Sequence, residues 1–147
     1  MRFFGIVTAW LAASLAAYLL GSAASTQVTL AGIEALGRDV PLGVNLRTVL
    51  HDLGAMISYF AVIALGFAIA FYIASLVAAA LPRLSPIAYP AAGGAAIATA
   101  LALMTWRYGV TPILGAQEAY GFWLQVGAGV LGGLVFELFR PKPLRSR

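Results

Sequence analysis

Four stretches of this chain, residues 3–24, 54–81, 87–106 and 120–139, are apolar and free of charge at their centres. None contains Lys, Arg, His or Asp, and Glu137, near the end of the fourth, is their one carboxylate. About 20 residues, each rising 1.5 Å in an α-helix, cross a hydrocarbon layer of roughly 30 Å. Every stretch meets that length. Open strands would leave backbone groups unpaired in lipid, and the stretches lack the alternation of a barrel. The expected fold is therefore all-α: a polytopic four-transmembrane-helix bundle, with a short interfacial helix or helices in the first outer loop. Composition agrees, with 62% hydrophobic and 10% charged residues against roughly 45–50% and about 25% in soluble domains.

Boundaries have local causes. A single membrane domain over residues 1–147 is expected, with an outer loop at 25–53, a second at 107–119 and a basic tail at 140–147. Pro82 and Pro86 mark a tight turn between the second and third helices, with Ser85 placed to cap the third and Pro86 at its first position. Pro90, one turn further on, is expected to shift the start or bend the first turn. Arg140-Pro141-Lys142-Pro143 stops the last helix. The N-terminal run, ending in Ser22-Ala23-Ala24, has some character of a secretory signal. Its apolar stretch exceeds the roughly 7–15 residues of a signal core, so it is expected to remain as the first helix.

The basic residues orient the bundle. Four crossings put Arg2, Arg83, Arg140, Lys142, Arg145 and Arg147 on one side, and Arg38, Arg47 and Arg107 on the other. The positive-inside rule then favours both termini in the cytoplasm. Eight arginines against one lysine, in an Ala-rich chain, suggest a GC-rich bacterial genome and so a bacterial inner membrane. Trp106, Tyr108, Tyr120 and Trp123 would form an aromatic belt at the outer interface.

The first outer loop has helical periodicity of its own. Leu30, Ile33 and Leu36 fall on one face, with Gly37 as a terminator. After Asn45, Leu46, Val49, Leu50 and Leu53 form a second stripe. One or two short helices in the outer interface are expected there, or the second piece as an extension of the second transmembrane helix.

Several chemistries are excluded by inventory. With no cysteine there is no disulfide, thiolate nucleophile, zinc–thiolate site or iron–sulfur cluster, and a single histidine rules out bis-histidine haem within the chain. The charge of +4 is concentrated in the tail, and no aromatic-interleaved basic stripe is present to bind nucleic acid. No catalytic, cofactor or metal site is expected. The one candidate polar site lies on the outer side: Arg47, His51 and Asp52 in the loop, with Gln125 one turn inside the fourth helix. Gln125 can bridge helices or line a cavity; bridging is the favoured reading, since interhelical hydrogen bonds hold helices together in lipid. Packing is written in small residues. Gly5, Ala9, Ala13, Ala17 and Gly21 recur every fourth position, and Gly129, Gly132 and Gly133 give the fourth helix a close-approach face, within the bundle or in a dimer.

These features favour a non-catalytic structural, assembly or modulatory membrane protein, whose partners are the lipid bilayer and a second copy or another membrane protein. A small oligomeric transporter or channel, with Gln125 and Tyr59 along its path, is the alternative. An interfacial lipid-binding protein or enzyme using His51 is the third reading.

Overall fold

The computed structural model describes residues 2–35, 37, 46–48, 50–51, 57–111 and 113–141. Among them the regular elements are helices: α1 (Arg2–Ala35), α2 (Ile57–Ala80), α3 (Ser85–Tyr108) and α4 (Ala119–Phe139), with 3₁₀ turns at Pro82–Leu84 and Leu114–Ala116. Each of the four long helices is long and apolar enough to cross a membrane. The chain is an all-α, four-helix membrane bundle.

α1 differs from expectation in length. Its 34 residues correspond to about 51 Å, well beyond the hydrocarbon thickness. The interfacial piece expected around Leu30 is the end of α1 itself. The reason is local: no proline interrupts residues 25–35, and the hydroxyls of Thr26 and Thr29 donate to the carbonyls of Ser22 and Ser25 at 3.1 and 3.0 Å. These threonines thus bond within the running helix instead of capping a new one. Past Ala35, Gly37 takes the left-handed conformation (φ 79°) and its N–H bonds Glu34 O at 2.9 Å. That glycine is the expected terminator. Residues 46–48, 50 and 51 are helical as well; Asn45, Val49 and Leu53, which the second stripe also used, lie outside the described residues.

α3 corrects the capping expectation. Ser85 is the first residue of the helix, Leu84 occupies the cap position, and no side chain caps it. The Ser85 hydroxyl instead accepts a hydrogen bond from Arg140 Nη2 at 3.0 Å. Pro90 lies inside α3, which runs on through it. A proline in the second turn leaves one early carbonyl without its intrahelical donor. At the other end Gly109 (φ 76°) donates to Thr105 O and closes the helix.

The helix ends sort into two levels. Arg140 bonds Ser85, and Pro141 packs on Gly5. The start of α1, the α2–α3 turn and the end of α4 therefore share one end of the bundle, here called the tail end. At the opposite, loop end, Gly115 N–H donates to Ser25 Oγ at 3.2 Å.

α4 is the central helix, packing extensively on both α1 and α3; α2 packs mainly on α3 and less on α1. The contacts of α4 are made by small residues. Gly132 faces Ala13 O, the Ala17 methyl and the Phe67 ring. Gly129 lies on Gly93, and Gly133 on the backbone of Tyr89 and Pro90. Ala9, Ala13 and Ala17 of the α1 stripe are all buried. Backbones that approach this closely gain dispersion contacts, the chief attraction available where lipid is as apolar as the side chains. Towards the tail end the space between helices is filled by Phe67, Phe71, Tyr89 and Phe136. The Phe71 and Phe136 ring centroids are 4.4 Å apart, and those of Tyr89 and Phe136 5.0 Å.

Candidate functional site

Gln125 is buried in the core, at 1% exposure. Its Nε2 donates to Gly21 O of α1 at 2.7 Å, and its Oε1 accepts from the Tyr59 hydroxyl of α2 at 3.2 Å. One side chain of α4 thus ties three helices. The site has room for it because position 21 is glycine: a Cβ there would stand 2.5 Å from Gln125 Oε1. Further towards the loop end the polar layer continues. Ser22, Ser25 and Thr26 are buried on α1, and Gly115 seats its backbone directly on Ser25. The loop after α3 folds back to make this contact. Thr105 and Thr111 hydroxyls meet at 2.7 Å, and Gln117 Nε2 donates to Thr111 O at 3.2 Å. Ile113 and Ala116 are buried with it. Ser14, on α1 towards the tail end, is fully buried with its Oγ unpartnered among the described residues.

The four residues nominated for an outer polar site have different surroundings. Gln125 lies in the core, whereas Arg47 and His51 are exposed on the segment between α1 and α2. Asp52 lies outside the described residues. Among the described residues no group of three or more His, Asp or Glu is placed to hold a metal ion.

A second polar cluster sits at the tail end. Arg140 makes a two-point ion pair with Glu137, through Nε to Oε2 and through Nη2 to Oε1 at 3.1 Å. It also donates to Ser85, and its guanidinium lies over the Tyr89 ring, 4.6 Å from the centroid. Hydrogen bonding to the Glu137 carboxylate raises the guanidinium pKa further above its ordinary value, so Arg140 is a permanent cation. The i, i+3 spacing of Glu137 and Arg140 is legible in sequence. Ser85 and Tyr89 as partners are not, because they belong to another helix.

Two hollows adjoin these elements. Between α2 and α3 a long groove of about 910 Å³ runs from Leu84 and Ile87 at the tail end to Arg107 and Tyr108 at the loop end. Its floor carries Ala88, Ala92, Ala96 and Ala100 at four-residue spacing, and Gly66 meets Ala96 there. Exposed Leu65, Ile69, Ile87 and Leu103 form its rims. Between α1 and α2, on the tail side, a smaller cavity of about 400 Å³ has Arg140 in its wall. Comparison with known protein families, curated proteins and solved structures finds no match to this chain.

Proposed function

We propose that this chain is a non-catalytic component of a membrane assembly, and that its α2–α3 groove receives a transmembrane helix of a partner membrane protein. The groove carries the reading. It extends along most of a membrane span, and its floor is alanine at helical spacing between larger rims. Small residues every fourth position let another helix approach closely, which is the main source of helix association in lipid. A rim-and-floor profile of this kind fits ridges-into-grooves packing. Gln125 and Tyr59, nominated for an oligomeric transport path, face one another inside the bundle and hold helices together. We further propose a bacterial inner membrane with both termini cytoplasmic. The six-to-three distribution of basic residues between the two ends supports that orientation.

The absence of cysteine makes a direct test practical. A maleimide–benzophenone is attached at Ala95→Cys, in the groove, and at Leu134→Cys on the exposed face of α4, and native membranes are irradiated. A discrete protein adduct from position 95 and none from position 134 is the expected result. An adduct with a second copy makes the assembly a homo-oligomer. Labelling of lipid alone from both positions refutes the reading.

A further inference from the structure

The cavity between α1 and α2 has a roof, an apolar body and a polar end. Trp10 Nε1 donates to Ala64 O at 3.0 Å, and the Tyr18 and Phe60 rings meet edge to face at 5.5 Å. These contacts pin α1 to α2 through the middle and loop-side parts of the bundle. On the tail side of Trp10 the helices part. The cavity there is lined on α2 from Ala68 to Ser75, about 10 Å along the helix axis. Ile6 and Tyr72 belong to its wall and are also exposed, so it opens sideways to lipid. Phe71 and Phe136 close its inner side, and Tyr89 and Arg140 stand at its tail end.

The polar end holds unused donors. Arg140 directs Nε and Nη2 to Glu137 and Ser85. Its Nη1, with two N–H groups, has no acceptor among the described residues, and the Tyr89 hydroxyl likewise makes no hydrogen bond among them. An arginine only 16% exposed with donors at a lipid-facing cavity calls for an acceptor. Guanidinium groups favour phosphate and carboxylate, which match their fork geometry. Charge is complementary as well. Glu137 balances Arg140, but Lys142, Arg145 and Arg147 follow within seven residues, and a basic cluster at a helix end attracts anionic head groups.

We propose that this cavity binds an anionic acyl-chain amphiphile. The chain lies between α1 and α2 beneath Trp10, and the phosphate or carboxylate of the head group accepts hydrogen bonds from Arg140 Nη1 and the Tyr89 hydroxyl. This site is on the opposite face of α2 from the α3 groove and stands independently of the assembly reading. It is also remote from His51. An apolar body with a few convergent polar groups is the usual form of a small-ligand pocket.

The test uses the full chain in dodecylmaltoside micelles and native mass spectrometry. Phosphatidylglycerol, diacylglycerol or palmitate is added separately. Phosphatidylglycerol or palmitate should be retained about tenfold more than diacylglycerol, which carries neither phosphate nor carboxylate, the ratio expected from one charge-assisted hydrogen bond. Retention of phosphatidylglycerol identifies a lipid head group as the source of the oxyanion; retention of palmitate alone identifies a free fatty acid. Val7→Phe/Ala68→Phe, which fills the cavity and leaves Arg140 in place, should abolish retention, and Arg140→Gln, which removes the charge, should erase the preference. As a check that needs no variant, phosphatidylglycerol bearing a diazirine on its acyl chain should label residues 6–10 and 68–75 of the wild-type protein in vesicles. Equal retention of diacylglycerol, or labelling spread evenly over the lipid-facing helices, overturns the proposal.

Discussion

Replacing Gly129 by alanine tests how the bundle is held together. A Cβ at this position would stand 2.5 Å from Gly93 O and 2.6 Å from Ile97 Cγ1. Ordinary van der Waals contact begins near 3.4 Å, so α3 and α4 must separate by about 1 Å, and a gap of that size forfeits a quarter to a half of each dispersion well it touches. Overpacking of this kind costs about 1–3 kcal/mol. Alanine offsets up to about 1 kcal/mol of it through better helix propensity. The net expectation is a loss of about 1–2 kcal/mol. Gly127, two residues away on the same helix, supplies the control: a Cβ there meets nothing within 4 Å. Gly127→Ala should be neutral, or stabilising by up to about 1 kcal/mol. Reversible unfolding in dodecylmaltoside with rising SDS, followed by circular dichroism, measures both. Equal stability of the two variants would refute the claim that the glycine face packs inside the bundle. Dissociation of an oligomer by Gly129→Ala, with the monomer's stability unchanged, would move that face to an intermolecular contact.

Gln125→Leu should cost about 1–2 kcal/mol in the same assay, since it removes bonds to two other helices. In a double-mutant cycle with Tyr59→Phe the two losses should couple by at least about 0.5 kcal/mol; strict additivity would mean that the 3.2 Å contact between them contributes nothing. For topology, single cysteines at Gly37 and Val110 should react with a membrane-impermeant maleimide on intact cells, and those at Leu81 and Ser146 only after lysis. The reverse pattern would invert the proposed orientation, and labelling of all four on intact cells would contradict it altogether.

Much of the fold is determined by the sequence on its own, because its causes are local. Hydropathy and length make four spanning helices, since a bilayer accepts little else. Gly37, Gly109 and the Pro82–Pro86 turn stop or start helices through their own backbone preferences. The α1 stripe and the helix-four glycines are periodic and so can be read as packing faces. What a polar side chain bonds to is not local. Ser85 looks like a cap in sequence, yet its hydroxyl serves Arg140, because the end of α4 lies over the start of α3. Thr26 and Thr29 bond inside a helix that runs on past the apolar stretch, so hydropathy alone stops α1 too early. Gln125 reads from sequence as a bridge more readily than as a cavity wall, but its partners, Gly21 and Tyr59, are supplied by other helices and only the fold names them. The unused donors of Arg140 and the cavity beneath Trp10 leave no trace in the sequence. They arise where α1 and α2 part, and that gap depends on how four helices of unequal side-chain volume settle against one another.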